Sequence, residues 1–224
     1  MTAWEPLASF LPHVSVYVPD APQPAALMML RLAAAEFCEA TALWREIVTV
    51  DLPDDPVALE IAQESSTIVR IERAEYDGLM LAPTALVDVS SQDIGADGLR
   101  GIPHSITQIT ENTAIIAPWP TEPGGSLFLS LILKPVVGAR FGVSGATTLQ
   151  TEQNRVPRFL FDNHADTIAH GAVSKLMMMP RQSFTDPAAA AYHLAAFDAA
   201  KRERASHGFS GQQSARPRIK AQFF

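Results

Sequence analysis

The chain has 224 residues, nearly half of them apolar, enough for one large domain or two small ones burying roughly 70% of the unfolded surface, which excludes disorder throughout. The net charge of −7 is uneven: residues 201–224 carry Lys201, Arg202, Arg204, Arg216, Arg218 and Lys220 against Glu203, a local +5 that leaves −12 in the first 200 residues. An acidic body argues against a grip on nucleic acid, and a basic tail points to an acidic surface on a partner.

In chain order, residues 10–20 (FLPHVSVYVPD) alternate valines with polar residues between prolines, the pattern of an extended arm, an edge strand or a packing strap. Pro22 and Pro24 then precede a helix on which Leu27, Leu30, Ala34, Phe37, Thr41 and Trp44 recur at three- and four-residue steps. Phe37 and Trp44 are the large residues of a stripe otherwise lined by small ones, so a second helix from the far end of the chain is expected to approach closely. From Glu46 the pattern changes to period two. Strands are predicted over Glu46–Leu52, Val57–Ile61, Thr67–Glu72, Leu79–Leu81, Ile106–Ile109, Thr113–Ala117 and Ser126–Leu133, with Asp77-Gly78 as a hairpin turn and Trp119 between two prolines ending a strand. Such spacing suits a small antiparallel sandwich or barrel.

Residues 135–157, punctuated by Gly138, Gly142, Gly145 and Pro157, read as a long loop. Helix returns near Asp162 with Ala165, Ile168, Ala169, Ala172 and Leu176 on one stripe, and Pro180 stops it. Asp186-Pro187 caps a last helix on which Ala190, Leu194 and Phe197 form the stripe. Gly208 and Gly211 release the chain into a tail. The fold class is therefore α+β: residues 1–46 and 156–206 form a helical bundle, 47–155 an inserted antiparallel β-sandwich or barrel with the long loop, and 207–224 an extended C-terminal arm. The helix-packing anchors are Leu30, Phe37, Trp44, Ile168, Leu176 and Phe197.

Motifs for catalysis or cofactors are not found. The single Cys38 cannot form an internal disulfide, which fits a reducing compartment. The N-terminus lacks the Lys or Arg of a secretory signal, and Arg31 breaks the best apolar run well short of the roughly 18 residues a membrane span requires. The closest histidines, His164 and His170, lie six apart and face different ways on a helix, so zinc ligation is not expected. No nucleophile elbow, P-loop or dinucleotide fingerprint occurs, and the three loop glycines lack a following helix to cradle phosphate. Asp54/Asp55 suit a turn, and Asp162/Asp166 suit a helix start. The expectation is no enzyme, no cofactor and no metal. The tail is different: Phe209, Ile219, Phe223 and Phe224 alternate with Arg216, Arg218 and Lys220, the composition of interface anchors.

Two runs carry a family resemblance. Leu11-Pro12 through Val18-Pro19, Leu30-Arg31, Ala34-Ala35-Glu36-Phe37-Cys38 and Trp44 form the first. His170-Gly171-Ala172, Leu176, Met179-Pro180, Phe184, Asp186-Pro187, Tyr192 and Phe197 form the second. Together they resemble the opening and closing helices of the head-to-tail adaptor proteins of tailed bacteriophages; between them only the β-rich character matches, and Phe184 stands where the family pattern has Trp. The resemblance implies a homo-oligomeric ring, usually of twelve copies, beneath the portal protein in the virion neck and assembled in the host cytoplasm. It would continue the DNA channel without sequence-specific binding, join the capsid to a tail or nozzle/stopper protein, touch no membrane, and send its C-terminal arm (Phe209, Arg216, Arg218, Ile219, Lys220, Phe223, Phe224) into the portal. Two readings from other classes stand beside it. A carbohydrate- or receptor-binding β-sandwich module of a phage tail would expose aromatics such as Trp119 and Tyr76. A small hydrolase would lose activity on mutation of a histidine.

Overall fold

Proline sets where the helices begin. The structure, a computed structural model, describes residues 3–54, 58–61, 66–88, 100–122, 124–136 and 155–210, with backbone alone for residue 87 and residues 206–210. Each of the four α-helices among the described residues opens at a proline. α1 (Leu11–Ser15) and α2 (Gln23–Thr41) carry Pro12 and Pro24 in their first turns, α3 (Arg158–Met177) follows Pro157, and α4 (Pro187–Ser210) starts on Pro187. A first-turn N–H has no partner within the helix, so proline there sacrifices nothing. Asp186 caps α4 as expected: the backbone N–H groups of Ala188 and Ala189 both donate to its Oδ1 at 3.0 Å.

The strands are β1 (Trp4–Pro6), β2 (Arg45–Asp51), β3 (Leu59–Glu60), β4 (Ser66–Tyr76), β5 (Leu79–Met80), β6 (Ala82–Pro83), β7 (Arg100–Gly101), β8 (Ser105–Thr110), β9 (Thr113–Ala117), β10 (Trp119–Pro120), β11 (Ser126–Pro135) and β12 (Arg155–Pro157). The fold is thus mixed α+β, and its sheets are mainly antiparallel. By contacts the chain divides into two units: residues 1–43 with 134–224, and residues 44–133. The sequence expectation places these boundaries at 46/47 and 155/156.

In the first unit β1 pairs antiparallel with β12, Trp4 opposite Pro157. α2, α3 and α4 pack on one another, with α1 against α2 and α3. The core holds Leu30, Ala33, Ala34, Phe37 and Cys38 from α2; Leu160, Ile168, Ala172, Val173 and Leu176 from α3; and Ala190 and Phe197 from α4. Residues 10–20 are not extended. A 3₁₀ turn (Leu7–Phe10) leads into α1, and Phe10, Val14 and Val18 are buried while Val16 is 76% exposed. The buried residues repeat every four, which is helical spacing; valines two apart also fit an alternating template, hence the extended expectation.

The second unit contains two four-stranded sheets, ordered β2-β11-β4-β5 and β3-β9-β8-β6, and a short parallel pair, β7 with β10. Both larger sheets are open, which sets the barrel expectation aside. Leu127, Leu129, Leu131 and Leu133 of β11 are all fully buried, as their shared face predicts, and Ile132 on the opposite face is buried too. Asp77-Gly78 forms the two-residue hairpin turn, with φ of 45° and 84° and Tyr76 opposite Leu79; positive φ at both positions is what such a turn requires.

Candidate functional site

The first unit brings three helices to a single small residue. A Cβ built on Gly171 of α3 would lie 3.0 Å from the Ala33 methyl of α2 and 3.0 Å from two ring atoms of Phe197 on α4. Close approach, rather than backbone freedom, is the reason for glycine here. Around this point the anchors Leu30, Phe37, Ile168, Leu176 and Phe197 are all completely buried. Trp44 is buried as well, but not on the helix. Ala42 adopts the left-handed conformation (φ 52°) and its N–H donates to Cys38 O at 2.9 Å, closing α2 at Thr41. Trp44 therefore falls in the second unit, where its carbonyl accepts from Leu133 N–H. Periodicity counts any apolar residue at the right offset and cannot see the αL stop before it.

Charges tie the same three helices. Glu36 of α2 accepts from Lys175 of α3 at 2.7 Å and from Lys201 of α4 at 2.5 Å, and Lys201 also reaches Asp198 at 2.8 Å and sits 4.5 Å over the Phe197 ring. Partial burial would raise the Glu36 pKa, but the two ammonium groups outweigh it and hold the carboxyl below its ordinary value. Lys201 is likewise opposed by burial and raised on balance by Asp198 and Glu36.

Histidines line the other seams. His164 of α3 is buried against Phe37, ring centroids 4.9 Å apart, and burial, aided by Arg204, pulls its pKa down. His13 of α1 contacts Asp166 of α3 at 2.7 Å. His170 of α3 and His193 of α4 meet Nδ1 to Nδ1 at 2.6 Å beneath the Tyr17 ring. On α4 the sequence pattern favours Leu194 for the buried stripe; Leu194 is 43% exposed and His193 only 4%. The spacing 190, 193, 197 carries that signal, and hydrophobicity alone favours the wrong neighbour. Burial raises the Cys38 thiol pKa strongly, so it is inert.

No protein-family model matches the chain, and no curated protein matches it in sequence. What the chain does must therefore be argued from its own residues. Among the described residues no group of three or more His, Cys, Asp or Glu is placed to hold a metal ion, and no helix is long and apolar enough to cross a membrane. His164 and His170 have different partners, Phe37 and His193. Trp119, the first aromatic offered for sugar binding, is 3% exposed, and Tyr76 packs where a Gly125 side chain would have to be.

The outer face of α4 is the unusual surface. From Pro187 to Phe197 the helix carries no Asp, Glu, Lys or Arg, yet Tyr192 is 69% exposed and Leu194 43%. With Met178, 61% exposed, this face borders a groove of about 550 Å³ that also touches Lys175, Pro187 and Ala191. A surface stretch of helix without charges has a face to bury against another body. The helix continues through Ser210, so residues 207–210, expected to open the arm, are helical. The backbone of Phe209 is helical, and Arg216, Arg218, Ile219, Lys220, Phe223 and Phe224 lie outside the described residues, as do the loop glycines Gly138, Gly142 and Gly145.

Proposed function

We propose that this chain is a head-to-tail adaptor of a tailed bacteriophage: a structural, non-catalytic virion protein that forms a ring of twelve copies below the portal and joins the capsid to the tail or its nozzle/stopper protein. In this reading the terminal segments make a helical bundle that frames the DNA channel, and the β-rich unit is an inserted sandwich. The observation that carries the proposal is the junction at Gly171, where a helix from the first 43 residues meets two from beyond residue 157. The two sequence runs with adaptor character, separated by more than a hundred residues, converge at this junction.

The charge-free stretch of α4 from Pro187 to Phe197 supports assembly into a ring, because repeated weak apolar contacts add once copies close on one another. The acidic body supports a channel through which DNA slides, since a wall that does not bind phosphate does not retain it. The basic, phenylalanine-bearing tail is the portal-docking arm. Removing residues 211–224 leaves α4 intact and tests that assignment: the truncated chain is expected to keep its helical circular dichroism and thermal midpoint but to lose capture by portal particles in a sedimentation assay. Undiminished capture would refute the arm.

A further inference from the structure

We infer that His170 and His193, facing each other nitrogen to nitrogen between α3 and α4 under Tyr17, form a proton-operated latch that is closed with one proton between the rings and opens when a second arrives. The Nδ1 atoms are 2.6 Å apart and the ring centroids 4.9 Å apart. A contact of this kind needs an N–H on one ring and a bare lone pair on the other. The neutral pair satisfies this, and so does the singly protonated pair, in which the imidazolium donates to the neutral ring. In the doubly protonated pair both Nδ1 atoms carry hydrogen, so the contact becomes two donors and two like charges at hydrogen-bond distance. It cannot persist.

The surroundings decide which ring accepts. His193 is 4% exposed, between His170 and the rings of Tyr17 (4.6 Å) and Tyr192 (5.4 Å). Burial, and then the neighbouring charge of His170, lowers its pKa. Burial thus disfavours charge on His193, which accepts through a bare Nδ1 while His170, the more open ring, donates.

The other charged groups on the packed elements do not relieve the second proton. On α1 and α3, His13 and Asp166 are occupied with each other. Lys175 of α3 and Glu36 of α2 are paired, as are Lys201 and Asp198 on α4. Between Pro187 and Phe197 α4 offers no carboxylate. With no carboxylate on that stretch of α4 to offset the second charge, the opening is expected to start at Tyr17 and the first half of α4. The pair and its surroundings are the same whatever the protein assembles with, so the latch is independent of the adaptor reading.

Long-range ¹H–¹⁵N spectra of the imidazoles, recorded on the full chain from pH 8 to pH 5, test it. Double protonation of the pair is expected only together with loss of the Tyr17 ring-current shift on both rings. Protonation of both histidines with those shifts unchanged would overturn the latch. A second readout is amide exchange. In the wild type, exchange over residues 187–194 should accelerate at least tenfold relative to residues 24–38 on going from pH 7.5 to 5, after correction for intrinsic rates. His170→Asn, which keeps a polar partner but cannot gain a charge, should abolish that acceleration; the same acceleration in the variant would also overturn the proposal.

Discussion

The two units differ in what they bury. The core of residues 44–133 is sealed by neutral groups: the β11 leucines, Ile68, Ile106, Ile116 and Trp119, with Ser66, Ser105 and Thr107 as its buried polar residues. The helical unit instead buries His164 and His193 and threads the Glu36–Lys175–Lys201 network between its helices. Both units draw stability from apolar packing, and among the described residues the buried histidines belong to the helical one. The unit that holds its seams with titratable side chains is the one expected to respond to its surroundings.

The contrast between the units breaks most readily at the helical core. Phe37→Ala removes a fully buried ring facing His164 and Phe197 and is expected to cost about 3–5 kcal/mol in denaturant unfolding. Loss of the helical signal with amide protection of β8, β9 and β11 intact would show the two units unfolding separately. Overpacking the junction is next. Gly171→Leu drives a side chain into Ala33 and Phe197 and should cost about 1–3 kcal/mol or somewhat more. The same change at Gly78, where an added Cβ would meet no atom within 4 Å but φ is 84°, strains only its hairpin.

Acidification gives a smaller effect that sharpens the contrast. The folded pKa values of His164 and His193 are depressed, chiefly by burial. Such groups favour folding while neutral, so their contribution is complete above the unfolded value of about 6.5 and is lost as the pH falls below it. Between pH 8 and pH 5 amide exchange, corrected for intrinsic rates, should accelerate in α3 and α4 and stay flat in β8, β9 and β11; equal acceleration in both would remove the distinction. The smallest effect is expected from Glu36→Gln. Its partners are partly solvent-screened, and each ion pair is worth about 0.2–1 kcal/mol, so the melting point should drop slightly and depend less on salt.

Periodicity reads the fold well where one face of an element is buried. Ser126–Leu133, Thr113–Ala117 and the stripe from Ala165 to Leu176 are where their spacing puts them, and Asp77-Gly78 and Asp186-Pro187 announce a turn and a cap through local chemistry. It fails where two periods coincide, as in residues 10–20, and where a backbone stop is made by a residue that does not advertise it, as at Ala42. The candidate site is legible in the sequence as packing but not as chemistry. Gly171 is visible there only as one residue of a familiar run. The meeting of His170 with His193 and of Glu36 with Lys201 depends on how helices far apart in sequence are docked, and no local pattern encodes that.

Everything proposed for this chain as an adaptor requires the early helix to be held by the two late ones. A nuclear Overhauser spectrum of the chain with labelled alanine methyls tests this directly. The Ala33 methyl should show cross-peaks to the Phe197 ring and the Gly171 α-protons. Cross-peaks from Ala33 confined to residues before 43 would contradict the helical unit and, with it, the adaptor assignment.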